Sequence, residues 1–126
     1  MSELSVVDSS AWLEYFADSS QARHFEQVLL DPGKLVVPVI TIYEVFKKIL
    51  RERDEHIALE VVSQMYGGAV VDLSLTLDAA HYQLPLADSI IYATALKFKA
   101  TLWTQDKHFK DLPNVRYFAK RRARGS

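Results

Sequence analysis

The sequence lacks several features that mark common functional classes. It has no cysteine among its 126 residues, which excludes disulfide bonds and zinc sites built on cysteine. It has only four glycines, and neither a G-x-G-x-x-G pattern nor a P-loop occurs, which disfavours nucleotide binders that cradle phosphates. Since no run of 18 apolar residues is present and the N-terminus lacks the basic start and apolar core of a signal peptide, we expect a soluble cytoplasmic protein.

The formal net charge of −1 conceals an uneven distribution of charge along the chain. Residues 1–96 carry 6 basic and 14 acidic groups, whereas residues 97–126 carry 9 basic and 2 acidic groups. A basic end of this kind is either a solvated tail or a surface that binds a phosphate backbone. The charges alone leave both interpretations open.

Short apolar runs alternate with segments of helical periodicity. The apolar runs predict five strands, at residues 5–7, 35–37, 69–71, 101–103 and 115–118. Apolar residues at helical spacing predict helices near residues 12–16, 25–29, 41–53, 54–65, 76–82 and 86–98. The length fits one domain, and the alternation favours an α/β fold in which helices cover both faces of a parallel sheet.

Four acidic residues lie where predicted strands end or where the following helices begin. They are Asp8 after the first strand, Glu44 and Asp88 in the first turns of two helices, and Asp106 after the fourth strand. Because ligands of open parallel sheets bind outside the carboxyl ends of the strands, these carboxylates can converge on one edge. Oxygen ligands of this kind select Mg²⁺ or Mn²⁺, ions that activate water and stabilise charge on a transferring phosphoryl group.

Each of these acids also has a purely structural explanation. Asp8 and Asp106 are suited to cap helices, and Asp88 complements the dipole at a helix N-terminus. Glu44 follows Thr41 at the spacing of a capping box, and it precedes a lysine at the i, i+4 spacing of a surface ion pair. These explanations remain open for each acid taken singly.

Taken together, four motifs that each contain one of these acids resemble the motifs of PIN-domain ribonucleases, and among them the VapC toxins of toxin–antitoxin pairs. The motifs are Val6–Trp12, Thr41–Val45, Leu84–Ala95 and Leu102–Phe109. The resemblance extends from about Leu4 to Phe118, and Leu84–Ala95 is its most specific part. The order of the motifs and the separations of 36, 44 and 18 positions between successive acids fit the family.

The resemblance implies both a fold and an active site. It implies one PIN-like nuclease domain over residues 1–119, with a five-stranded parallel sheet flanked by helices on both faces, and a basic tail over residues 120–126. It also implies that the four acids are catalytic and hold Mg²⁺ or Mn²⁺. Ser10 and Thr104 are the implied supporting hydroxyls.

The activity implied by the resemblance is cleavage of single-stranded or looped RNA by metal-activated water. The implied partners are an RNA substrate, a VapB-like antitoxin and a second copy of the chain in a homodimer. The candidate RNA contacts are basic residues beyond the last acid, namely Lys107, Lys110, Arg116, Lys120, Arg121 and Arg122, with Lys47, Lys48 and Arg51 as weaker candidates. Two alternatives remain open: a PIN nuclease of RNA processing, and a non-catalytic PIN-fold module that binds RNA or a protein.

The sequence departs from the family pattern at one position near the site. Some relatives carry a further acid two residues beyond Asp106, where this chain has His108. We predict an ordinary surface histidine at this position. The number of bound ions therefore remains open.

Overall fold

Five short strands and five α-helices are present in the computed structural model, which describes residues 3–72 and 84–120. The strands are β1 (Ser5–Val7), β2 (Val36–Pro38), β3 (Ala69–Val71), β4 (Thr101–Thr104) and β5 (Val115–Tyr117). The helices are α1 (Ser9–Phe16), α2 (Arg23–Leu29), α3 (Val39–Glu52), α4 (Glu55–Met65) and α5 (Leu86–Lys97). A short 3-10 turn over Lys107–Phe109 follows β4. Two predicted segments, the helix at 76–82 and the tail from 121 onward, lie outside the described residues.

All strand pairs in the described residues are parallel, as predicted. β1 pairs with β4, β4 with β5, and β2 with β3. One parallel bridge between Ser5 and Leu35 connects the two ladders, so the strands follow the order β3-β2-β1-β4-β5. The five strands thus form a three-stranded and a two-stranded ladder joined at a single bridge, rather than one continuous ladder. The fold is the predicted α/β arrangement.

Helices pack on both faces of the sheet because successive strand residues point to opposite sides. On one face, Val7 and Trp103 belong to an apolar cluster shared with α1, α2, α3 and α4. On the other face, Val6 and Leu102 pack in a second cluster with α5. None of the described helices is long and apolar enough to cross a membrane.

The boundaries of α3 matter for the site. The helix begins at Val39, two residues before the predicted start, directly after the final strand residue Pro38. Pro38 has extended backbone angles and needs no hydrogen-bond partner for its nitrogen, which suits it to the step from strand to helix. Thr41 and Glu44 therefore both lie inside the helix, on the turns nearest the carboxyl end of β2.

Candidate metal centre

Asp8 is positioned by the end of β1 and the start of α1. Its backbone N–H donates to the carbonyl oxygen of Trp103 at 3.2 Å, which continues the pairing of β1 with β4. Its carboxylate accepts hydrogen bonds from the N–H of Ala11 at 3.1 Å, from the Ser10 hydroxyl at 2.9 Å and from the Thr104 hydroxyl at 2.7 Å. Asp8 therefore caps α1 and is also held by the two hydroxyls predicted to support it.

Thr104 links Asp8 to Asp106. The fully buried Thr104 hydroxyl donates to Asp8 and accepts from the backbone N–H of Asp106 at 2.8 Å. Asp106 in turn caps the 3-10 turn, since its carboxylate accepts from the N–H of His108 at 2.9 Å. One threonine at the end of β4 thus fixes the relative positions of two acids that are 98 residues apart in the chain.

Glu44 approaches from α3 and is held by α1. Its carboxylate accepts a hydrogen bond from the Ser9 hydroxyl at 2.5 Å. The capping-box alternative does not form, because Thr41 lies inside the helix and its buried hydroxyl has no partner among the described residues. The surface-pair alternative does not form either, because Lys48 pairs with a different glutamate at 2.9 Å.

Asp88, in the first turn of α5, meets His108 from the turn after β4. His108 Nδ1 lies 2.9 Å from a carboxylate oxygen of Asp88 and 3.3 Å from one of Asp106. One potential ligand atom from each of the three residues falls in a group spanning no more than 4.8 Å. The His108 side chain is 57% exposed, as a surface residue should be, but its contact with two acids was not predicted.

The four predicted acids line one cavity of about 810 Å³, together with Ser9 and Ser10. Two further acids, Glu14 and Glu52, also line the cavity, as do several cations and the exposed Tyr43. Thr104 lies behind the cavity wall rather than on it. All four predicted acids thus face the same cavity, but among the described residues only Asp88 and Asp106, together with His108, bring ligand atoms within 4.8 Å of one another.

Burial dominates the electrostatics of Asp8. It raises the pKa of the Asp8 carboxyl from 3.8 to about 7, although the hydrogen bonds from Thr104, Ala11 and Ser10 act in the opposite direction. The negative charge of Asp106 adds to the rise. Ionising Asp8 in the protein alone is therefore costly.

Glu44 and Asp88 are affected in the same way. Burial raises the pKa of Glu44 against the hydrogen bond from Ser9, and the charges of Asp88 and Asp106 raise it further. Burial also raises the pKa of Asp88, opposed by the hydrogen bond with His108 and assisted by the charge of Asp106. The acids thus repel one another at close range in a poorly solvated site.

The donor set fits a divalent cation. A positive ion among these carboxylates would offset both the burial and the mutual repulsion that raise their pKa values. Carboxylate oxygens are the donors that Mg²⁺ and Mn²⁺ prefer. The residues present are therefore suited to hold such an ion.

Glu14 lies on the cavity wall, although its position there was not predicted from the sequence. It accepts hydrogen bonds from the Ser19 hydroxyl and from the Gln105 amide, the latter at 2.7 Å. Burial acts to raise the pKa of Glu14, but these hydrogen bonds and the charge of Lys120 bring it below its usual value. The signal was present in the sequence, because Ser10 and Glu14 are four residues apart and share a face of α1.

The predicted RNA contacts divide into two groups. Lys120 lines the cavity, as do the weaker candidates Lys47, Lys48 and Arg51. The cavity wall does not include the other three described candidates, Lys107, Lys110 and Arg116. The remaining two, Arg121 and Arg122, lie outside the described residues.

Arg116 and Lys110 are engaged with aromatic rings. The Arg116 guanidinium lies 4.6 Å from the ring centroid of Trp103 and 5.8 Å from that of Phe118. The Lys110 ammonium lies 6.0 Å from the ring centroid of Tyr117. Both cations thus pack against the β5 side of the molecule, which the charge count of the sequence does not indicate.

A comparison with protein families supplies the identity of the fold. The family model described as the PIN domain matches residues 5–115. The chain belongs to the PIN domain family. No curated protein sequence matches this PIN domain.

Solved structures similar to this PIN domain include components of toxin–antitoxin systems. A toxin–antitoxin complex from Klebsiella pneumoniae is 21% identical, with a TM-score of 0.70, over 92% of this chain and 99% of the other. A DNA-bound VapBC from Salmonella typhimurium is 14% identical, with a TM-score of 0.69, over 93% and 98%. A VapC toxin from Mycobacterium tuberculosis that cleaves the sarcin–ricin loop is 13% identical, with a TM-score of 0.64, over 86% and 95%. At these identities the likeness establishes a shared fold.

Proposed function

We propose that this PIN domain is a Mg²⁺- or Mn²⁺-dependent endoribonuclease and the toxin of a VapBC-type pair. The observation that carries the proposal is the convergence of four carboxylates from β1, α3, α5 and the turn after β4 on one cavity. RNA is the proposed substrate because a similar fold belongs to a toxin that cleaves the sarcin–ricin loop. Residues 1–119 are the proposed nuclease domain and 120–126 the proposed basic tail.

The side chains of the site have distinct proposed roles. Asp8, Glu44, Asp88 and Asp106 hold the cation, which when bound supplies the charge that activates water and stabilises the phosphate under attack. Ser10 and Thr104 orient Asp8 through the hydrogen bonds described above. Ser9 orients Glu44 in the same manner. Hydrogen bonds of this kind fix the orientation of a carboxylate and so determine how well its oxygens can bind a metal ion.

The proposed protein partner is a VapB-like antitoxin. Several structures with this fold are toxin–antitoxin complexes, including those from Klebsiella pneumoniae, Salmonella typhimurium and Rickettsia felis. A second copy of the chain, forming a homodimer, is proposed from the family resemblance.

Metal-dependent cleavage of RNA is the expected result that tests this function. The purified chain should cut an end-labelled single-stranded or looped RNA in Mg²⁺ or Mn²⁺, should stop in excess chelator, and should recover when the ion is restored. The measurement is product formation on a denaturing gel. Equal cleavage with and without chelator would exclude the metal mechanism, and RNA binding without cleavage in either ion would favour the non-catalytic module.

A further inference from the structure

Helix α3 presents one exposed aromatic ring and two cations along the same wall of the cavity. Tyr43, Lys47 and Arg51 are each four residues apart, so they share one face of the helix. All three line the cavity that contains the acids. The face begins beside Glu44, one of the proposed metal ligands, and continues away from it.

Tyr43 is exposed where most aromatic side chains of the molecule are not. Among the phenylalanine, tyrosine and tryptophan residues of the described chain, only Tyr43 and Tyr66 are exposed, at 56% and 60%. Of these two tyrosines, Tyr43 lines the cavity and Tyr66, which lies just before β3, does not. The Lys47 ammonium lies 5.7 Å from the centroid of the Tyr43 ring. A ring and a cation side by side can bind a nucleotide, because bases stack on aromatic faces and phosphates contact cations.

The two cations on this face form no close ion pair with a described residue, although Lys47 lies over the Tyr43 ring and the charges of Lys47 and Arg51 act on Glu44 and Glu52, respectively. Within the described part of the chain, Lys48 is engaged by Glu52 at 2.9 Å, whereas Lys47 and Arg51 form no ion pair. Arg116 and Lys110, which the sequence favoured as RNA contacts, pack against rings away from the cavity. The cations that line the cavity with the acids are therefore Lys120 and those of α3, and not Arg116 or Lys110.

We propose that the RNA strand runs along α3 from the acids, with one base stacked on Tyr43 and nearby phosphates at Lys47 and Arg51. This proposal rests on the proposed ribonuclease function and names the path of its substrate. Four-residue steps separate these side chains by about 6 Å along the helix axis. That spacing allows neighbouring nucleotides of one extended strand to reach the ring and the cations in turn.

Binding of a short single-stranded RNA to the full chain, in Ca²⁺ to avoid turnover, tests the path. Tyr43→Ala is expected to weaken binding at least about fivefold, since one base stack is lost, whereas Tyr43→Phe should stay within about twofold of the parent. Lys47→Ala and Arg51→Ala should each reduce the slope of log K against log salt by about 0.7. A fluorescent base analogue is placed at each position of the RNA in turn. At one position its fluorescence should be quenched on binding the parent but not on binding Tyr43→Ala.

Two variants act as matched controls. Tyr66→Ala removes an equally exposed tyrosine away from the cavity, and Lys97→Ala removes a cation at the end of α5 opposite to Asp88. Both should bind RNA as the parent does. Thermal unfolding should show that all variants fold, because every replaced side chain is exposed.

The outcomes separate this proposal from the proposed function. If Tyr43→Ala and the two cation variants bind RNA like the parent, the path along α3 is wrong, even if the parent cleaves RNA. If the variants lose RNA binding as expected but the parent cleaves nothing in any ion, the path holds and the nuclease proposal fails. Weakened binding of a protein partner with unchanged RNA binding would assign this face to that partner and overturn the proposal.

Discussion

Replacing Asp88 by asparagine is expected to lower metal-dependent RNA cleavage at least about 1,000-fold while leaving the fold intact. The carboxylate lies between Glu44, Asp106 and His108, so its charge contributes directly to the proposed cation site. Losing one ligand of a metal that contributes several kcal/mol to transition-state stabilisation accounts for an effect of this size. Asparagine keeps the size of the side chain, so the first turn of α5 should pack as before.

The measurement is the single-turnover rate of RNA cleavage at saturating Mn²⁺. Asp111→Asn is the matched control, because Asp111 is an exposed acid of the same region that does not line the cavity. Circular dichroism and thermal unfolding should be close to the parent for both variants. Cleavage by the Asp88→Asn protein at the parent rate would show that this acid has no part in the reaction.

Replacing Asp8 by asparagine is expected to make the metal-free protein more stable at about pH 8, at the cost of activity. Burial raises the pKa of Asp8 from 3.8 to about 7, so the folded protein retains this proton where the unfolded chain has released it. The free energy of unfolding therefore falls as pH rises from about 4 to about 7, and the loss is complete above that range. The change in pKa corresponds to about 4 kcal/mol.

Asparagine does not ionise and so avoids this loss. One oxygen acceptor is replaced by an amide, which leaves a hydroxyl of Ser10 or Thr104 less well satisfied and costs about 1–3 kcal/mol. The net gain at about pH 8 should be on the order of 2 kcal/mol; near pH 4 the ionisation gain is absent, and the variant should be less stable than the parent by about 1–3 kcal/mol.

Urea unfolding of both proteins in chelator, at acidic and at alkaline pH, measures this difference. Comparing the two proteins at each pH cancels the titration of the groups that they share. Added Mn²⁺ should then stabilise the parent more than the variant, because the ion binds only the folded site. An Asp8→Asn protein that is less stable than the parent at about pH 8 in chelator would refute this account of Asp8.

The fold could be predicted because its signals are local. Val6–Val7 and Leu102–Trp103 are short apolar runs that end at polar residues, and the following segments have helical spacing. The weak pairing of β1 with β2 was not predictable in this way. The single bridge at Ser5 depends on how two short strands approach each other in the folded chain. The sequence of either segment alone does not determine where the two strands pair.

The same distinction applies to the site. Asp8 and Asp106 were predictable because Asp8 directly follows β1, Asp106 lies two residues after β4, and the ends of parallel strands meet at one edge. The contact of His108 with Asp88 joins residues 20 positions apart and depends on the direction of the 3-10 turn after β4. Arg116 is one of the predicted RNA contacts, but its packing against Trp103 is a tertiary contact that the charge pattern does not reveal.

The most direct test of the central claim is to locate the ion itself. A crystal of the full chain soaked in Mn²⁺ should show an anomalous difference peak among the carboxylates of Asp8, Glu44, Asp88 and Asp106, in contact with their oxygens. The peak should be absent from crystals of the Asp88→Asn protein or strongly reduced in them. Mn²⁺ bound elsewhere on the chain, with none near these acids, would contradict the proposal that this cavity is a metal-dependent nuclease site.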